Sequence, residues 1–464
     1  MQNKSNPEVS KSVLLIITMA SNFLNPLMGA AVNVALPRIA GDFSLNAIQL
    51  SWITMAYLLA SAIFMLPFGK IADMVGRKKI FLYGTIVFMF ASLLCATSSS
   101  GSSLILARWL QGLGGAMIYS TTMAIVISAF PPQERGRVIG LNVAAIYIGL
   151  AVAPVLGGIL TQSLGWRSLF YINAVFSFLI ILAIVLKIKT EWIEAKDEKF
   201  DWIGTLIYMP SMAALMYGFS KLPDPIAITS AVVGLAGLIG FVYQEFKSPF
   251  PVLNMSLFVE NKVFASSNLA AFINYAATFA VGFLLSLYLQ YTKHLSPKEA
   301  GMILITQPIV MAIASVLSGK LSDKINARWL STIGMGISVL GIFMLTFLEK
   351  DSSQSFIVFA LIILGLGFGL FSSPNTNMVM SSVDRKFYGI ASATISTMRT
   401  TGMMFSMAIA SLSLHLFMGE QKINESNIDS FIHSSKLIFF VFTFLCIVGT
   451  LSSLFGKKEI QNVK

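Results

Sequence analysis

Gly69-Lys70-Ile71-Ala72-Asp73-Met74-Val75-Gly76-Arg77-Lys78-Lys79 is a short basic stretch with a single acid, set between two apolar runs, residues 51–71 and 80–96. A helix that crosses a bilayer needs about 20 mostly apolar residues, and both runs come close to that length. A charged loop between two such runs lies at the membrane surface, and its bases belong on the cytoplasmic side. The glycines allow the two helices and their turn to pack closely. Asp73 can pair with Arg77 or cap a helix N-terminus.

The composition agrees. The 464 residues are 56% hydrophobic and 11% charged, with mean hydropathy +0.77, whereas a soluble domain carries about a quarter charged residues. In a soluble protein a net charge of +11 would suggest nucleic acid. Here the bases crowd into short loops, where they set topology. No nucleic-acid partner and no folded soluble domain is expected. Cys95 and Cys446 both fall inside apolar runs, which argues against a disulfide framework or a metal cluster. The first ten residues are polar. The apolar run from Val13 is too long for a signal peptide and reads as a retained span.

Reading for membrane-length runs gives an all-α polytopic membrane protein with about 14 spans. They lie near 13–36, 50–71, 79–97, 103–127, 137–160, 168–187, 202–220, 226–244, 264–290, 300–320, 329–347, 355–379, 390–416 and 436–455. An even number puts both termini on one side. With the termini in the cytoplasm, about 22 Lys and Arg fall inside, about 8 outside and two within spans, Arg108 and Arg399, as the positive-inside rule requires. The inside loop at 187–201 mixes both signs (Glu191, Glu194, Lys196, Asp197, Glu198, Lys199) and reads as an amphipathic linker. A weak internal repeat is present. Gly319-Lys320-Leu321-Ser322-Asp323 follows the tenth span as Gly69-Lys70-Ile71-Ala72-Asp73 follows the second. If spans 9–14 repeat spans 1–6, spans 7 and 8 are an inserted pair.

The pattern Gly69-x-x-x-Asp73-x-x-Gly76-Arg77-Lys78 resembles the loop between the second and third spans of major facilitator superfamily transporters. Further motifs agree in order. They are Asn33-Val34-Ala35-Leu36-Pro37, Arg108-Trp109-Leu110-Gln111-Gly112, Gly149-x-x-x-Ala153-Pro154-x-x-Gly157-Gly158, Gly165-Trp166-Arg167 and Asp201-Trp202-Ile203-Gly204. Gly389-Ile390-Ala391-Ser392-Ala393 and Arg399-Thr400-Thr401-Gly402 complete the set. Together they resemble the fourteen-span drug:proton antiporter family over nearly the whole chain. The resemblance implies two six-helix bundles, residues 1–190 and 246–464, around a linker and inserted helix pair at 191–245. It also implies alternating access, with Gly69, Asp73, Gly76, Arg77, Gly149, Pro154, Gly157, Gly158 and Asp323 as the conformational gate. Small residues and a proline give a kinkable fifth span that another helix can approach closely.

One departure bears on the substrate. Where that family carries an acid in its first span, counting back from Asn33, this chain has Met28. None of the fourteen runs above contains Asp or Glu. An exporter of lipophilic cations commonly uses an intramembrane carboxylate for both proton and cation. Arg108 and Arg399, the charges left inside, favour a neutral or anionic ligand. The first span is instead rich in amides. Asn22, Gly29 and Asn33 fall within about 40° on a helical wheel, with Asn25 about 60° away. Amides donate and accept, so they suit a neutral heterocycle. The candidate substrate-binding residues are therefore Asn22, Asn25, Asn33, Arg108, Gln111, Tyr147, Asn274, Gln307, Asn375 and Arg399. Asn377, Tyr57 and Tyr275 are further possibilities, while helix–helix hydrogen bonding is the competing use for any single Asn. His294, His415 and His433 lie in loops or near a span end and are read as structural.

The expected function is secondary transport of a small, neutral or weakly anionic aromatic solute, a flat vitamin such as riboflavin, by uptake across the cell membrane. Proton-driven multidrug efflux is the alternative. A polytopic membrane enzyme is remote, since no Gly-x-Ser-x-Gly, His-Glu-x-x-His or phosphate-binding loop occurs. The lipid bilayer and the solute are the expected partners, with a coupling proton left open, no cofactor, and a monomer as the working unit.

Overall fold

The computed structural model describes residues 11–196, 198–322, 325–383 and 388–455, so Asp323 of the expected gate lies outside the described residues. The first half runs α1 (Lys11–Phe43), α2 (Ala47–Val75), α3 (Arg77–Ala96), α4 (Gly101–Ala129), α5 (Pro132–Ser163) and α6 (Arg167–Lys187). Then come α7 (Trp202–Lys221), α8 (Pro225–Lys247) and the short α9 (Ser256–Glu260). The second half is α10 (Lys262–Leu287), α11 (Pro297–Leu304), α12 (Thr306–Ser322), α13 (Ala327–Leu345), α14 (Gln354–Ser381), α15 (Tyr388–Met418) and α16 (Ile428–Phe455). Among the described residues there is no strand. Thirteen stretches of the described residues are long and apolar enough to cross a membrane, with α11 and α12 forming one interrupted span. Of the two remaining helices, α9 is five residues long and α7 is 20. α7 falls short of the span criteria met by the thirteen but packs along α8, itself one of them.

Local sequence sets the helix ends. Asn46 and Gln49 close a capping box on α2, and Ser296 and Glu299 another on α11, satisfying N–H groups that a helix start leaves free. Asp201, Asn261 and Ser353 cap α7, α10 and α14 in the same way. The surface loop expected at 69–79 shrinks to a single residue. α2 continues to Val75 and α3 begins at Arg77, leaving Gly76 to turn the chain at φ +130°. Only glycine takes that backbone conformation without strain.

The two halves repeat one packing scheme. In the first, α1 packs on α5, α2 on α4, and α3 on α4 and α6. In the second, α10 packs on α15, α12 on α14, and α13 on α14 and α16. A Gly-x-Gly at the centre of each half makes this possible. A Cβ on Gly112 would stand 2.2 Å from the Tyr57 carbonyl oxygen of α2, and one on Gly365 2.6 Å from that of Gln307 on α12. Two residues on, Gly114 faces Gly84 of α3, and Gly367 faces Gly334 of α13. In lipid such close backbone approach supplies the van der Waals contact that holds helices together. The inserted pair lies where α2 meets α15. Tyr208 of α7 donates to the Ala62 carbonyl (3.0 Å), and Phe219 meets the Phe405 ring at 5.8 Å. The outer side of α8 exposes Val232, Val233, Leu235 and Ile239, a surface that fits lipid tails.

Replacing Gly114 by Ala puts a methyl 2.6 Å from the Phe88 nitrogen. Overpacking of this kind costs about 1–3 kcal/mol. The Gly114→Ala protein should melt several degrees lower in detergent, and an unchanged melting temperature would count against the packing role.

Candidate functional site

The ends of the helices define two faces. The Gly76 face carries the α2–α3, α4–α5 and α12–α13 turns, and the far face carries the α1–α2, α5–α6 and α10–α11 turns. On the far face the two halves are closed against each other. Ser286 of α10 donates to the Asn33 carbonyl (2.8 Å) and Gln290 to that of Val34 (2.9 Å). Ser51 of α2 donates to the Ser411 hydroxyl of α15 at 2.9 Å. A Cβ on Gly158 would stand 2.4 Å from the Pro297 carbonyl oxygen, and one on Gly301 2.2 Å from that of Pro154. The small-residue stretch of α5 thus has two separate uses. Gly149 and Gly157 let α1 approach at Phe23 and Ala31, while Gly158 lets α11 approach from the other half.

Towards the Gly76 face the halves part. A cavity of about 580 Å³ lies between α5 on one side and α12 and α14 on the other, lined by Arg135, Tyr147, Gly319, Ser373, Thr376 and Asn377 among others. Deeper in, a second cavity of about 140 Å³ is lined by Asn33, Pro154, Tyr275, Thr278, Gln307 and Phe368 with apolar neighbours. The boundary falls at the same level on three helices, between residues 147 and 150, 311 and 315, and 368 and 373. At that level the Tyr147 hydroxyl meets the Ser372 hydroxyl at 2.6 Å. This contact joins the two halves at the level where the two cavities adjoin.

The expected binding residues divide by location. Asn33 and Gln307 line the inner cavity and Tyr147 the outer one. Arg399 donates to Thr376 of the outer cavity (2.6 Å) and lies 5.6 Å from the centre of the Tyr275 ring of the inner one. Asn274 and Asn375 are fully buried, and neither end of either amide has a partner. Buried amides without partners are expensive.

Four others are taken up inside the first half and do not reach the cavities. Asn22 donates to Asn142 (2.9 Å) and accepts from Thr122 (3.2 Å). Asn25 accepts from the Tyr57 hydroxyl at 3.0 Å. Arg108 donates to the Ile53 carbonyl (3.2 Å) and to Gln111, and its guanidinium sits 4.5 Å from the centre of the Tyr57 ring. Gln111 donates to Ser92 (2.8 Å), as does Asn173 (2.7 Å). Asn22 and Asn33 fall together on a helical wheel, but Asn22 bonds side chains of α4 and α5, whereas the Asn33 side chain accepts from Thr54 of α2 (2.9 Å) and its carbonyl from Ser286 of α10. Met28 is 2% exposed in the apolar core and lines neither cavity.

The Gly76 turn is clasped by the chain between α6 and α7. Arg77 bonds Asp73 (2.7 Å), Ser128 and Glu194 (3.3 Å). Glu191 accepts from the Lys78 nitrogen (2.8 Å), and the Asp73 carbonyl accepts from the nitrogens of Glu194 and Ala195. The mixed-sign linker is therefore an irregular strap over the turn, and Lys70 is paired with its Glu198. Sequence reasoning missed Tyr147's partner Ser372 and the acid Glu245. The eighth apolar run ends at residue 244, yet α8 extends to Lys247 and buries Glu245 to 2% exposure. A buried acid at a span end carries no local signature, because its cover comes from other segments.

The Major Facilitator Superfamily model matches residues 18–250 and 268–462. The riboflavin transporter RibZ of Clostridioides difficile is 29% identical over 452 residues, covering 97% of this chain and 98% of that protein. The multidrug resistance protein Stp of Mycobacterium tuberculosis is 31% identical over 404 residues, covering 85% of this chain and 74% of that one. Among solved structures, a bacterial homolog of the human lysosomal transporter Spinster superposes with TM-score 0.70 at 17% identity, over 98% of this chain and all of that one.

Arg108→Ala leaves the Gln111 carbonyl oxygen without a donor in a water-free interior, which costs about 1–3 kcal/mol, and removes the Arg108 bond to the Ile53 carbonyl. Transport should be lost together with thermal stability. A variant with wild-type melting but no transport would instead place the arginine on the solute's path.

Proposed function

The chain belongs to the Major Facilitator Superfamily, and we propose that this multi-pass secondary transporter takes up a small, neutral or weakly anionic aromatic solute, a flat vitamin such as riboflavin, by alternating access. The observation that carries the reading is the chemistry of the inner cavity. Its lining offers the Asn33 and Gln307 side-chain amides, the Thr278 hydroxyl and the Tyr275 and Phe368 rings, with no acidic residue. Amides can match the carbonyls and ring nitrogens of a heterocycle, and rings stack on a flat solute. A lipophilic cation would find no counter-charge there. Arg399, close to Tyr275, disfavours a cation further. The riboflavin transporter similar over its full length supports the same choice.

Multidrug efflux remains the second reading, because proteins similar to this chain include the multidrug resistance protein Stp and multidrug resistance protein 3 of Bacillus subtilis. The apolar majority of the inner cavity's lining would serve that function too.

In this proposal the Gly76 face is cytoplasmic, both termini are inside, the membrane is the cell membrane, and the structure is open inward. Residues 1–190 and 246–464 are the two moving bundles, and 191–245 is the strap and inserted pair. Sites for drug-sized solutes typically measure about 300–1,000 Å³, so the inner cavity of about 140 Å³ is too small alone. The outer one, about 580 Å³, can admit the solute. Release of Tyr147 from Ser372 would join the two, placing the ring system between Tyr147 and Tyr275 and bringing the unpartnered Asn274 and Asn375 amides within reach of rearrangement. Closing the Gly76 face while opening the far face would break the Gly158–Pro297 and Ser286–Asn33 contacts and complete the cycle. The strap-held Asp73–Arg77 turn is the gate element on the cytoplasmic side, and the transporter works as a monomer.

Reconstituted vesicles offered riboflavin and a lipophilic dye cation, each with and without a proton gradient, should accumulate the vitamin. Gradient-driven cation export without vitamin movement would overturn the ordering. Gln307→Ala should raise KM about tenfold, the loss of about one hydrogen bond, with melting temperature nearly unchanged. Asn33→Ala should raise KM similarly but also melt lower, because Asn33 Oδ1 accepts from the buried Thr54 hydroxyl at 2.9 Å. Asp73→Asn should lower turnover while leaving solute binding intact; unchanged turnover would remove the turn from the gate.

A further inference from the structure

The inserted helix pair carries two buried carboxyl groups that the transport reading leaves without a role. Asp201 caps α7, and Glu245 lies in the last turn of α8, at the Gly76 end of both helices. They are 8% and 2% exposed. Each has one oxygen engaged by a backbone N–H. Asp201 Oδ1 accepts from Gly204 and Glu245 Oε2 from Leu253, both at 2.7 Å. The other oxygen of each, Asp201 Oδ2 and Glu245 Oε1, is buried without a partner. Both of these converge on one point. Where a Cβ on Gly204 would stand, Glu245 Oε1 is 2.4 Å away and Asp201 Oδ2 2.9 Å. The Thr205 hydroxyl, on the next residue, is also buried without a partner. Gly204 therefore holds open the space in which the two free carboxyl oxygens face each other.

Two ionised carboxylates cannot share such a site at low cost, because like charges at short range in a poorly solvated place repel strongly. One proton removes the conflict, since a carboxylic acid donates to its carboxylate neighbour and satisfies both free oxygens. We propose that Asp201 and Glu245 form a proton-binding pair at the base of the inserted helices, holding one proton between them and taking it from and returning it to water at the Gly76 face. The groups facing the pair are few. Lys70 of α2 attracts Glu245 weakly and is itself paired with Glu198 of the strap. Lys247, on α8, turns to the Tyr243 ring at 4.1 Å. The segment at 248–255 contributes the Leu253 N–H and no charge.

The pair is thereby wired to the gate. With one proton bound, the site carries a single negative charge and Lys70 stays with Glu198. When the proton leaves, the site becomes doubly negative and pulls Lys70 away from Glu198. That frees the strap whose Glu191 and Glu194 hold the Gly76 turn. Proton occupancy at α7–α8 would thus set how firmly the strap grips the turn, whichever solute is carried.

The test uses the full chain in lipid nanodiscs without solute, so its outcome does not depend on the riboflavin assignment. Infrared spectra near neutral pH should show a protonated-carboxyl C=O band that shifts in deuterated water. Glu245→Gln and Asp201→Asn, which keep the shapes of the side chains, should each abolish it, whereas Glu191→Gln should not. Lys70→Met should make the band persist to higher pH, because an attracting cation has been removed. Absence of the band in the wild-type chain, or its survival in both pair variants, would overturn the proposal. If the two pair variants elute aggregated, Lys70→Met decides: a titration midpoint unmoved by the loss of that charge would also overturn it.

Discussion

A bilayer removes the usual reward for bringing helices together. Lipid tails are as apolar as leucine, so contact must come from close approach and from polar groups that have nowhere else to go. The structure meets that constraint with glycine. Gly112 and Gly114 seat α4 against α2 and α3, and Gly365 and Gly367 seat α14 against α12 and α13. The rest follows from these two seats. They fix the positions of α2 and α12, and a second pair of glycines, Gly158 of α5 and Gly301 of α11, lets the two halves meet and close the far face. With the far face shut, the space between the halves opens only towards Gly76.

Polar side chains are divided according to whether they hold a bundle or face the space between bundles. Arg108, Gln111, Ser92 and Asn173 form a continuous network inside the first half, and Asn22 ties α1 to α4 and α5. Asn33, Gln307, Tyr147 and Arg399 stand at or beside the cavities. The distinction matters for function. A side chain whose partners all lie within one bundle moves with it, while one at the interface changes its surroundings whenever the bundles move.

Much of the fold was legible along the chain. Fourteen apolar runs, the loop charges and the Gly69–Lys79 motif pointed to the architecture, because hydrophobic length and basic flanks are local properties. The internal repeat was visible only faintly, at residues 69–73 and 319–323. Its stronger form, the paired Gly-x-Gly at 112–114 and 365–367, looked like ordinary glycine until the facing backbones were in view. The site was legible in part. A helical wheel placed Asn22 and Asn33 on one side of α1 but could not say which neighbours each would meet eleven residues apart. Met28 was noticed as the missing acid, whereas the buried acid Glu245 passed as a span-end residue.

The sequence by itself determined that this chain is an all-helical membrane protein of the major facilitator type and that its longest apolar runs lack acids. Those conclusions rest on composition, run length and the spacing of motifs within single segments. Tertiary structure alone decided which amides line a cavity and which serve as glue, that Tyr147 meets Ser372 across the halves, and that Asp201 faces Glu245 above Gly204. These contacts join residues far apart in the chain, and partners of that kind are chosen by how closely two backbones can approach, which no single segment records.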